Sequence, residues 1–171
     1  MNSYITFLII VLKITFVVPA FCEDKSIVFS TWEGFEVDKC ASIWLIKKFI
    51  DSNIKIKFYP KGTVIKDGIQ FDTPNAELRR YHNLSTFETI IKKYKIQNSR
   101  LDYIAKIIHD IEINLWDYKV MQKTNHVKDS IISIITSAKN DKTRVIEESI
   151  KYFDHFYKNV NVNPTNTDGK K

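Results

Sequence analysis

Four stretches in the second half of this chain carry apolar residues at every third or fourth position, a period that helices satisfy and strands do not. Ser85-Thr86-Phe87-Glu88 forms a capping box ahead of Ile90, Ile91 and Tyr94. Asn98 or Ser99 opens the next stretch, whose Leu101, Ile104, Ala105, Ile108 and Ile111 share one face. Residues 127–138 form a third, and residues 143–160 a fourth with Ile146, Ile150, Phe153 and Tyr157 as its stripe. An earlier segment, residues 37–50, repeats the pattern with Val37, Ala41, Trp44, Leu45 and Phe49. Only 4 Gly and 4 Pro occur in 171 residues, which leaves little room for a turn-rich β architecture.

Two short strands precede and follow that first helix. Residues 26–32 (SIVFSTW) supply one, and residues 54–59 (IKIKFY) alternate apolar and basic side chains until Pro60 and Gly62 end the run. A strand, a helix and a strand in this order read as a βαβ-like start. Residues 61–75 are the least regular part of the body, with turn signals at Gly62, Asp67-Gly68 and Pro74-Asn75. The expected fold is α+β and mostly helical, a small N-terminal β-sheet with about five helices. Hydrophobic residues at 44% and charged residues at 27% suit a single packed domain, which we place at residues 23–160. Residues 161–171 (NVNPTNTDGKK) have nothing to bury and are expected to form a disordered tail.

Residues 1–22 differ from the rest. Residues 5–18 are apolar apart from Lys13, and Ala20-Phe21-Cys22 precedes the charged Glu23-Asp24-Lys25. This pattern reads as a secretory signal peptide, so the protein is expected to be exported, periplasmic or secreted. Contact with a membrane would come only through this segment if it stayed attached. Removing it takes Lys13 away and lowers the formal charge from +6 to +5. The basic residues are interleaved with acids, which suits a small anionic partner and not a nucleic acid. Cys22 leaves with the segment, so Cys40 stands alone and forms no internal disulfide.

No P-loop, G-x-G-x-x-G, G-x-S-x-G, H-E-x-x-H or paired C-x-x-C is present. What remains is a scatter of polar groups. Asp38 and Lys39 stand where the first apolar stripe begins; Asp38 either complements the dipole of its own helix or marks a pocket edge with Lys39. Asp72 and Glu77 lie in the irregular segment, His82 in a turn before the capping box. His109, Asp110 and Glu112 follow on a helix, where His109 and Glu112 are three apart and could share one cation. Trp44 belongs to the core stripe, whereas Trp32 and Trp116 sit near element ends, where an indole can wall a pocket. His126 and His155 read as surface residues.

The run VDKCASIWLIKKFID, then Phe71-Asp72, STFETII and LDYIAKIIHDIEI resembles the chromate-resistance protein family, which includes the C-terminal domain of ChrB-type regulators and stand-alone exported members. The resemblance covers about residues 30–160. Val37, Asp38, Ala41, Trp44, Leu45, Ile46, Phe49, Ile50 and Asp51 keep the family's order and spacing, and His109-Asp110-Ile111-Glu112 fits its His-Asp pattern. Two departures stand out. Glu33-Gly34-Phe35-Glu36 occupies the place of a family arginine after Trp32, and Lys39 replaces the arginine after Asp38, losing a bidentate fork.

The resemblance implies an exported stress or detoxification protein that binds a small anion or a metal ion. Asp38, Lys39, His82 and His109 are its candidate ligand contacts. Asp72, Glu77, His109, Asp110 and Glu112 are candidates for a divalent or transition metal ion. These groups are expected to converge near the N-terminus of the first helix. Two other functions stay open: a metal-dependent enzyme using the same acids and histidines, and a secreted helical interaction protein that has lost the family site. Mature protein from the export pathway is expected to begin at or near Glu23; intact-mass measurement of the exported protein checks this, and a retained Met1 would contradict it.

Overall fold

The computed structural model describes residues 27–139 and 141–161. The segments read as a signal peptide and as a disordered tail, residue 161 excepted, lie outside these residues. β1 (Val28–Trp32) is followed by α1 (Val37–Leu45), whose last residues pass into a π-helical turn at Ile46–Ile50. β2 (Lys55–Tyr59) and β3 (Ile69–Gln70) come next, and then α2 (Thr86–Tyr94), α3 (Ser99–Glu112), α4 (Thr124–Ser137) and α5 (Lys142–Asn159). The fold is therefore α+β and mostly helical, with five α-helices and one small sheet among the described residues.

All three strands are parallel in the order β2-β1-β3, with Phe29 opposite Ile56 on one side and Ile69 on the other. β1 lies in the middle, and Phe29, Ser30 and Thr31 are buried. β2 keeps the alternation read from its sequence, with Lys55 and Lys57 outward and Ile56 and Phe58 half-buried. β3 falls inside the segment read as loop. Two residues are too few to show a period, and their pairing partner lies some forty residues earlier in β1. Gly68, at φ +80°, permits this pairing: a Cβ there would stand 2.5 Å from the Ser30 Oγ and 2.9 Å from the Val28 carbonyl oxygen.

The capping signals form as written. Ser85 accepts from the Glu88 N–H while the Glu88 carboxylate accepts from the Ser85 N–H, and Asn98 accepts from the N–H groups of Arg100 and Leu101. Asp141 caps α5 through the Arg144 N–H.

α1 is the hub. It contacts the other four α-helices, and all nine of its residues are buried, Asp38, Lys39 and Ser42 included. A helix with a single core stripe was expected; a central helix covered on every side was formed. Trp44 is 0% exposed and lies between Phe87 (ring centroids 6.4 Å apart, 2° between planes) and Phe153 (5.5 Å, 28°). Its Nε1–H donates to Asp154 Oδ1 at 2.9 Å, which satisfies the one polar atom of the indole. Trp44→Ala should cost roughly 3–5 kcal/mol in denaturant unfolding, the usual cost of truncating a buried aromatic. A loss under about 1 kcal/mol would show that the indole is not the centre of the core.

Candidate functional site

Because the strands are parallel, their carboxyl ends open on one edge of the sheet, where ligands of open α/β sheets usually bind. A cavity of about 440 Å³ lies at that edge. The Trp32–Glu36 turn after β1, Lys61 after β2 and Asp72–Pro74 after β3 supply one part of its lining. Asp38 and Lys39 from α1, Arg79 and Arg80 from the segment before α2, and Glu112 at the end of α3 supply the rest.

Asp38 is 2% exposed. Its carboxylate accepts from the Thr86 N–H at 2.6 Å, the Phe87 N–H at 2.9 Å and Ser42 Oγ at 3.3 Å. It thus takes two of the unpaired N–H groups that open α2, a helix 48 residues later, while Ser85 takes a third. The dipole it complements is that of α2 as well as its own. Burial pushes its pKa up to about 8, helped by the negative charges of Asp72 and Glu112; the two N–H donors hold it back.

Lys39 is nearly as enclosed. Its Nζ donates to the carbonyls of Trp32 at 2.8 Å and Gly34 at 2.7 Å and lies 3.4 Å from the Asp72 carboxylate. Three partners exhaust its three protons, so it braces the β1–α1 turn and has none left for a ligand. Asp72 is held at φ +52°, uncommon outside glycine, and accepts from Thr86 Oγ1 at 2.9 Å. Burial raises its pKa, and Lys39 and Thr86 oppose the rise. Burial also raises Glu112, against Arg80, whose Nη1 is 3.0 Å away, and the backbone N–H of Asp38.

The other candidates lie elsewhere. His109 turns away from Glu112: its Nδ1 lies 3.0 Å from the Glu88 carboxylate, in a second groove. Asp110 is 3% exposed and closes the α3–α4 connection, accepting from Asn114 Nδ2 (2.7 Å), the Met121 N–H (2.9 Å) and Thr124 Oγ1 (2.6 Å). Burial pushes its carboxyl up, but these hydrogen bonds outweigh it and leave the pKa below the usual range. Glu77 is exposed and pairs with Lys93 at 2.6 Å; His82 is exposed in the turn between Tyr81 and Leu84. The expected convergence is therefore corrected. Asp38, Lys39, Asp72 and Glu112 meet, whereas Glu77, His82, His109 and Asp110 do not join them. Among the described residues no group of three or more His, Cys, Asp or Glu side chains is arranged to hold a metal ion, so the five-residue donor set does not form.

Lys61, Arg79 and Arg80 are cavity residues that the sequence reading passed over. The available signal was the Arg79-Arg80 pair just before the capping box, which was given no separate role among the interleaved basic residues. Arg79 is oriented by the carbonyl of Pro74 at 2.8 Å and stacks on the Tyr81 ring at 4.6 Å.

A family model described as ChrB, C-terminal domain, matches residues 29–160. No curated protein and no solved structure gave a match.

The raised carboxyls set a sign for stability against pH. Asp38 has a folded pKa of about 8 against an ordinary 3.8, so the folded state binds its proton more tightly. That stabilisation is complete below the ordinary value and is lost as pH rises through the folded value. Asp72 and Glu112 act in the same sense; Asp110 and Asp154, held low, lose their contributions on acidification. The thermal midpoint should therefore fall from about pH 6 to about pH 9, and Asp38→Asn should flatten that slope while lowering the midpoint at the acid end. Equal slopes in the two proteins would place the titrating group elsewhere.

Proposed function

The chain belongs to the ChrB C-terminal domain family, which supports a role in chromate resistance, and from that premise we propose that its carboxyl-edge cavity binds a small oxyanion in an exported protein. The observation that carries the reading is the charge arrangement of the cavity. Lys61, Arg79 and Arg80 stand around carboxyls whose pKa values are raised.

A carboxylate repels an anion, but a neutral carboxyl group does not. Asp38, raised to about 8 by burial, carries little negative charge at neutral pH, and Asp72 and Glu112 are paired with Lys39 and Arg80, so this wall is less negative than its formal count. Chromate is a tetrahedral oxyanion that itself takes up a proton near neutral pH, so it suits a site that mixes cations with acids. The family arginines after Trp32 and Asp38 are replaced here, and Lys39 is spent on carbonyls. Arg79 and Arg80, from a different segment, bring guanidinium groups to the same cavity.

A cation is the second reading, because the charges of Asp72 and Glu112 raise the pKa of Asp38, that of Asp72 raises Glu112, and a positive ligand would relieve this repulsion. The two readings have opposite pH dependence. Chromate binding measured by calorimetry should weaken as pH rises from about 6 to about 8.5, because Asp38 loses its proton over that range and adds a negative charge beside the anion. Arg80→Ala should weaken it about tenfold at unchanged thermal midpoint. If chromate does not bind and a divalent cation binds more tightly with rising pH, the oxyanion reading is wrong and the cation reading stands.

A further inference from the structure

The second groove, of about 1150 Å³, lies between α3 and the connection from residue 113 to residue 123. Tyr103, Lys106 and His109 follow one another at three-residue spacing along one side of α3, away from its buried Leu101, Ile104 and Ile108. The connection opposite them is tied down. Asp110 holds its Asn114 and Met121, Asn114 Nδ2 also donates to the Tyr118 carbonyl at 3.1 Å, and the Trp116 N–H donates to Asn114 Oδ1 at 3.0 Å. Yet Trp116 is 81% and Tyr118 82% exposed. A loop that is held in place by these hydrogen bonds but leaves two large aromatic rings in water gains nothing from those rings in the folded domain alone.

The imidazole of His109 is oriented as firmly. Its Nδ1 lies 3.0 and 3.1 Å from the two oxygens of Glu88, and Glu88 is itself fixed by the Ser85 N–H at 2.8 Å and Ser85 Oγ at 2.9 Å. With Nδ1 facing a carboxylate, Nε2 is the nitrogen that a ligand in the groove meets.

We infer that this groove is a ligand site separate from the carboxyl-edge cavity, and that it takes a flat aromatic ring bearing a hydroxyl group. The ring stacks on Trp116 and Tyr118, and the hydroxyl donates to His109 Nε2. Lys106, on the same side of α3, adds positive charge beside the oxygen as its proton shifts toward the imidazole, and the imidazolium that results is paired with Glu88.

4-Nitrophenol tests this, because its absorbance reports whether the hydroxyl proton has moved. Calorimetric titration of the intact protein should give saturable binding, accompanied by a shift of the absorbance toward the phenolate form. Trp116→Ala, at an exposed position, should weaken binding at least about tenfold with the thermal midpoint unchanged. His109→Gln should keep most of the binding and lose the absorbance shift. Asp72→Asn, in the other cavity, should change neither. Absence of saturable binding up to millimolar 4-nitrophenol would overturn the inference. So would undiminished binding by Trp116→Ala, or an absorbance shift that survives His109→Gln. If Trp116→Ala converts a dimer to a monomer in light scattering and leaves 4-nitrophenol unbound in both proteins, the exposed rings are an interface between copies of this chain and the ligand site does not exist.

Discussion

The structure depends on one buried carboxyl group reaching from one helix to the start of another. Asp38, in the first turn of α1, accepts the N–H groups of Thr86 and Phe87, which have no partner within α2. Leaving buried donors unpaired would cost about 1–3 kcal/mol each, so this side chain decides whether α2 can lie against the hub helix. The cost appears on Asp38 itself, whose pKa is pushed up to about 8 because burial disfavours its charge. Lys39, the next residue, reaches the other way, to the carbonyls of Trp32 and Gly34 and to Asp72. Two consecutive residues thus join the end of β1, the segment after β3 and the start of α2 around one point.

The first turn of α2 is in turn a wall shared by both cavities. On one side Thr86 Oγ1 donates to Asp72, and Asp38 holds the backbone beneath it. On the other, Glu88 of the capping box holds His109. A sequence element whose local role is only to start a helix therefore sets the geometry of an acid-and-base cavity at the sheet edge and of an aromatic groove along α3. His109 and Glu112, three residues apart on one helix, end in different cavities because Glu88 attracts one and Arg80 the other.

Much of the fold was legible because it rests on local signals. The capping box at Ser85, the Asn98 cap, the stripe of α3 and the alternation of β2 each involve residues within a few positions of one another. β3 was not legible, since two residues carry no period and are held by Phe29 and Ser30 far upstream. Neither was the full burial of α1, where a single apolar stripe was expected and Asp38, Lys39 and Ser42 are buried as well. At the site, Asp38 and Lys39 were found as a pair at the edge of a cavity, and Asp72 and Glu112 with them. His82 and Glu77 were placed with them as chemically suitable residue types, and His109 and Asp110 because their segment matches the family pattern, but neither signal carries a direction in space.

The sequence by itself determined the α+β class, the number and order of the helices, the βαβ start and the family, because periodicity, caps and motif spacing are properties of short runs of chain. Only the tertiary structure decided which polar groups share a space. Asp38 meets Thr86 across 48 residues, Arg80 meets Glu112 across 32, and Lys61 and Arg79 enter the same cavity from separate loops. The pKa shifts of Asp38, Asp72 and Glu112 arise at the same level, since they come first from burial and then from charges brought close by packing. Burial and through-space distance depend on how the helices close around α1, and no single segment of the chain encodes either.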